Sequence, residues 1–165
     1  FDDTKVQPKS QNTLVQATPV RQIAVISKNV RVNRGLTGVK VDRLLTSSNS
    51  SSFTKMNMEV NVSFVKVPRG VYEVYLNVPS GEVPHPSSKY FVGFMNFFGF
   101  DDKTQGKSCR KGCCTPLNAS GRPYTNFYYE LSKESVASGE YNVTIYKHNQ
   151  VNSDLVIDNI IITGR

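Results

Sequence analysis

The sequence predicts an all-β domain, an antiparallel β-sandwich of jelly-roll-like kind with at most one short helix. Three observations lead there. Met56-Asn57-Met58-Glu59-Val60-Asn61-Val62-Ser63-Phe64 alternates apolar and polar residues, the period of a strand with one wet and one buried face. Roughly seven short β-rich runs follow one another with Gly, Pro, Asn and Ser turn signals between them, the pattern of sandwiches and barrels. At 165 residues, with no internal repeat and no second domain evident, the chain suits a single core.

Residues 1–17 read as a flexible linker and residues 18–165 as the domain. Gln22–Ser27 and Asn29–Asn33 fit strands, and Val39–Leu45 fits a short strand or helix. The serine run 47–52 is a loop tip. After the alternating strand, Pro68-Arg69-Gly70 turns the chain into Val71–Val78, so the two segments read as a hairpin. Pro79, Gly81, Pro84 and Pro86 make 79–89 a loop. Tyr90–Phe100 is the most apolar stretch, its first half suited to a strand buried on both faces. A polar, basic loop covers 101–112, and Thr125–Leu131 is a further strand. Ser132–Gly139 reads as one or two helical turns, capped by Ser132 and stopped by Gly139. Tyr141–Lys147 and Leu155–Thr163 are the last strands, with a polar turn at 149–154.

Composition narrows the chemistry. Two histidines, His85 and His148, cannot build a three-histidine zinc site, and neither has the spacing for a Cys2His2 site. His85, between Pro84 and Pro86, and His148, at a strand end, read as surface residues. Asp101-Asp102 reads as a solvated pair. No nucleophile elbow, phosphate loop or pair of catalytic carboxylates occurs, so no metal or catalytic residue is assigned. Cys109, Cys113 and Cys114 allow one loop disulfide plus a spare thiol, transient Cu(I) binding, or pairing with another chain. The net charge of +7 is spread along the chain, as on a solvated surface; an acidic protein partner is the second reading and nucleic acid or an anionic membrane the third, with no motif that reads nucleic acid. No apolar run reaches the roughly 20 residues of a membrane span. The chain opens at Phe1 with no charged-then-apolar leader, as a processed fragment would. Sequons stand at Asn49, Asn61, Asn118 and Asn142, two of them in expected strands.

Phe97-Phe98-Gly99-Phe100 crowds three aromatics around a glycine where a strand meets a polar loop. Strand neighbours point to opposite faces, so Phe97 and Phe98 cannot both enter the core. One of them must face outward or be covered by something else, and an exposed aromatic at a loop base is a typical anchor for another protein's pocket.

Tyr72-Glu73-Val74-Tyr75-Leu76-Asn77, Phe91-Val92-Gly93-Phe94-Met95-Asn96-Phe97-Phe98-Gly99, Phe127-Tyr128-Tyr129-Glu130-Leu131 and Tyr141-Asn142-Val143-Thr144-Ile145 carry a resemblance in their order and spacing. They resemble the C-terminal domain of type-3 copper polyphenol oxidases, the plant-like catechol oxidases and tyrosinases, with molluscan haemocyanin units more distant. Thr18-Pro19-Val20 to Val32 resembles the start of that domain, so the likeness covers roughly residues 15–165.

The resemblance implies a shielding domain over the copper pocket of a helical catalytic domain, which it keeps latent until proteolysis or a detergent-like treatment relieves the block. A loop residue fills the substrate position. By alignment it is Phe98, with Phe97 as runner-up, and an aromatic ring suits a pocket shaped for a phenol. The two copper ions and six histidines of the family belong to the catalytic domain, so this chain holds no cofactor and is not an enzyme alone. The resemblance further implies its own catalytic domain as partner, and the plastid thylakoid lumen or a secretory or vacuolar compartment as location. The copper-loading Cys-x-x-Cys of fungal relatives is not matched by Cys109, Cys113 and Cys114. A second reading is an extracellular recognition module that binds another protein, or carbohydrate through Tyr72, Tyr75, Tyr128 or Tyr129.

Overall fold

Among the described residues ten short strands, β1 (Arg21–Ile26), β2 (Val30–Arg31), β3 (Gly35–Lys40), β4 (Asp42–Arg43), β5 (Met56–Ser63), β6 (Val71–Leu76), β7 (Phe91–Asn96), β8 (Tyr124–Leu131), β9 (Asn142–Lys147) and β10 (Val156–Gly164), form two antiparallel sheets. They come from a computed structural model that describes residues 20–44, 53–100, 116–136, 139–148 and 154–165. The first sheet runs β4-β1-β10-β5-β8, with β2 also paired to β10; the second runs β3-β9-β6-β7. No helix occurs among the described residues. The all-β sandwich predicted from the sequence is the observed class.

The alternation of β5 does what its period requires. Met56, Met58, Val60 and Val62 are buried, while Asn57, Glu59 and Asn61 are half-exposed on the other face. Tyr72, Val74 and Leu76 of β6, Val143 and Ile145 of β9, and Ile160 and Ile162 of β10 join the same apolar core.

Pairing departs from the expected hairpin. β5 lies in the first sheet between β10 and β8, and β6 in the second between β9 and β7. The Pro68-Arg69-Gly70 segment is therefore a corner that carries the chain from one sheet to the other. Alternation specifies which face is buried but not which strand is the neighbour, so a turn signal alone could not separate the two. Among the described residues, consecutive strands pair directly only at β6 and β7, whose connection is the proline-rich loop 79–89. Val39–Leu45 likewise divides between sheets. β3 pairs with β9, Val41 is buried at the crossing with its N–H on the Tyr141 carbonyl (2.8 Å), and β4 pairs with β1.

Two local expectations also change. Ser132 does cap, its Oγ accepting from Ser135 N–H at 3.2 Å, but 133–136 stays a turn. β7 is the edge of its sheet and is exposed at Phe94 and Asn96, so it is not buried on both faces.

That edge is closed from across the sandwich. Tyr129 of β8 lies against Gly93 of β7, and its hydroxyl donates to the Phe94 carbonyl at 3.0 Å. A Cβ at Gly93 would lie 2.9 Å from the Tyr129 ring. Gly93→Val should therefore displace Tyr129 and lower unfolding free energy by about 1–3 kcal/mol. A urea midpoint equal to that of the unaltered protein would show that the ring has room to move.

Candidate functional site

The end of β7 is organised by one buried ring. Phe97 is 4% exposed and meets Phe64, Tyr72 and Phe127 edge-on, with centroids 5.4, 5.9 and 5.5 Å away. Edge-to-face contacts match the ring quadrupoles and restrict rotation. Phe100 packs on Phe64 at 5.8 Å. The chain between these anchors is a tight turn, with Phe100 N–H donating to the Phe97 carbonyl at 3.2 Å. Gly99 has φ of +92°, the left-handed geometry that a type II turn demands at its third position and that glycine adopts without strain.

Phe98 is at the tip of that turn and is 79% exposed. Of the adjacent pair, the fold sends Phe97 inward and Phe98 outward. Met95 is buried, so the strand's phase assigns the inner face to Met95 and Phe97 and the outer face to Phe94, Asn96 and Phe98. Phe97 is thus committed to the core and is not presented at the surface. Phe94, 50% exposed, extends the aromatic surface along the strand and packs on Phe91 at 4.9 Å.

Beside these rings the second sheet buries an acid on its outer side. Register places Leu36, Tyr146, Glu73 and Phe94 in one row across all four strands. Glu73 is buried, its carboxylate accepting from the Tyr75 hydroxyl and bonded to the exposed His148 through Nε2. Burial, reinforced by the Glu73 hydrogen bond and charge, pushes the Tyr75 hydroxyl well above the usual tyrosine range. Burial likewise raises Tyr129, and it raises Tyr141 against the opposing charge of Arg43. Lys147, buried beside the Tyr72 ring, is held below the usual lysine range by desolvation.

The residues singled out in sequence meet different fates. Tyr72 and Tyr75 are fully buried and Tyr129 nearly so; only Tyr128 of the four is open, at 68%. The tyrosine platform for a sugar is therefore not presented, because three of the rings are needed for packing. His85 is exposed and its Nδ1 meets Ser87 Oγ at 2.6 Å and accepts from Ser87 N–H at 3.1 Å, a local loop contact. Asp101, Asp102, Cys109, Cys113, Cys114 and the Asn49 sequon lie outside the described residues. Among the described residues no group of three or more His, Cys, Asp or Glu could hold a metal ion, and no helix is long and apolar enough to cross a membrane.

The Glu73–Tyr75–His148 cluster was missed. The spacing of Glu73 and Tyr75 signals a shared strand face, but His148 lies 75 residues from Glu73 in the chain, and only the β6–β9 pairing brings them together. No known protein-family model, curated protein or solved structure matches this chain.

Proposed function

We propose that this chain is the non-catalytic shielding domain of a polyphenol oxidase, an enzyme class that oxidises o-diphenols to o-quinones, and that it docks over the dicopper pocket and keeps it latent. The observation that carries this reading is Phe98, a ring 79% exposed on a turn fixed from both sides by Phe97 and Phe100. A rigid aromatic probe loses little conformational freedom when it enters a pocket. In the pocket it would occupy the place of the phenol ring, exclude substrate, and leave when the domain is removed. Phe94 would add apolar contact at the rim. The copper ions and their histidine ligands would belong to the catalytic domain, and the net charge of +7 would favour an acidic face there.

Purified domain added to a catechol oxidase lacking its own C-terminal domain should inhibit catechol oxidation in a dose-dependent, salt-sensitive way. Phe98→Ala should raise the half-inhibiting concentration by about 30-fold, the effect of losing a ~2 kcal/mol anchor. Because tethering raises effective concentration, the same pair of variants should be compared in a linked chain. Unchanged oxidation at high domain concentration, together with an active linked enzyme, would overturn the reading.

A further inference from the structure

The outer face of the first sheet carries a different kind of site, independent of Phe98. Asn126 of β8, Asn61 of β5 and Asn159 of β10 are register partners, so three asparagines stand side by side across three strands. Asparagine is disfavoured in strands, and local preference does not account for three in one row. A β-bulge between Ile157 and Asn159 sets Asn159 opposite Asn61, and bulges often serve to re-aim a side chain. Departures from local rules of this kind concentrate at functional positions.

Over the row lies an open groove of about 610 Å³, whose rim also includes Asn29, Asn118 and Tyr124. Its charged groups are already engaged. Arg122 Nε donates to Ser63 Oγ at 3.1 Å and its Nη2 to the Asp154 carbonyl at 2.9 Å, while Ser63 Oγ donates to Asp158 Oδ1 at 3.0 Å. Asn118 Oδ1 accepts from Ser120 and Arg122 N–H at 3.0 and 2.9 Å, which fixes the rim turn and leaves its amide nitrogen without an acceptor among the described residues. Asn61 Nδ2 donates to Asn159 Oδ1, and Asn61 Oδ1 is buried without a partner among the described residues. Asn126, exposed at the end of the row, has no side-chain partner there.

Beside this Arg122–Ser63–Asp158 chain, in which the two opposite charges balance, the groove offers neutral groups: amides that both donate and accept, with a tyrosine ring at one side. A phosphate or a nucleic-acid backbone would need free cations, and Arg122 is committed. An extended peptide that adds to the sheet would pair in its plane along the free edge of β8, whereas the row lies on the face of β8, β5 and β10. We infer that the Asn126–Asn61–Asn159 row and the Asn118 turn form a binding site for a neutral saccharide, whose hydroxyls both donate and accept and whose C–H face fits against Tyr124.

The test uses the whole chain made without glycosylation, since Asn61 and Asn118 both begin sequons. On an array of neutral and sulfated oligosaccharides, neutral members should be retained. Retention should fall at least tenfold in the Asn126→Ala/Asn159→Ala double variant, and equally in Ala119→Trp, which blocks the groove from an exposed turn without touching the core. Phe98→Ala should leave it unchanged. Retention of no neutral member, retention of sulfated members only, or neutral binding that survives both variants would each overturn the assignment.

Discussion

Phe97→Ala is expected to lower unfolding free energy by about 3–5 kcal/mol, while Phe98→Ala, one residue later, changes it by no more than about 0.5 kcal/mol. Phe97 is the shared partner of Phe64, Tyr72, Phe100 and Phe127, rings from both sheets and from the loops beside them. Its removal leaves a cavity walled by aromatic rings that are themselves held by strands and cannot collapse freely. Phe98 touches little and loses mainly exposed surface. Urea titrations of both variants read the contrast directly. A similar loss in both would mean that Phe98 is part of the core, and the proposal of an outward anchor would lose its basis.

Above about pH 10 the protein should lose stability steeply, at roughly 1.4 kcal/mol per pH unit for each buried tyrosine that stays protonated. Tyr75, Tyr129 and Tyr141 are all raised from the usual value by burial. The unfolded chain releases their protons near pH 10, whereas the folded chain holds them. Stability is therefore intact below that pH and falls as pH rises towards the folded-state values. Lys147 has the opposite sign, but its contribution ends once the unfolded lysine itself deprotonates near about pH 10.4. Denaturation followed between about pH 9 and pH 11 should show the decline, and Tyr129→Phe should reduce its slope by one tyrosine's share. A flat profile in that interval would mean that the hydroxyls ionise in the folded state.

Strand existence was legible because it rests on local period. β5, β8, β9 and β10 were each expected within two residues of their observed bounds. The same period required that Phe97 and Phe98 diverge. It could not say which one turned in, because that depends on the phase of β7, set by Met95 packing under the sheet. The tyrosines misled for a related reason. Tyr72 and Tyr75 are of opposite parity, yet both are buried, since β6 is covered on its outer side by Phe91 and the Glu73 cluster.

By itself, the sequence determined the all-β class, the inner and outer faces of the clearest strands, and the crowding of aromatics at the end of β7. These follow from the alternation of side chains along an extended backbone, which neighbouring residues settle among themselves. The tertiary structure decided the rest: which sheet each strand joined, which phenylalanine stayed in water, and which polar groups met. Asn61 and Asn159 are 98 residues apart in the chain and lie side by side across two strands. Such contacts depend on register between distant segments, and register is fixed by packing of the whole core rather than by any stretch of sequence read alone.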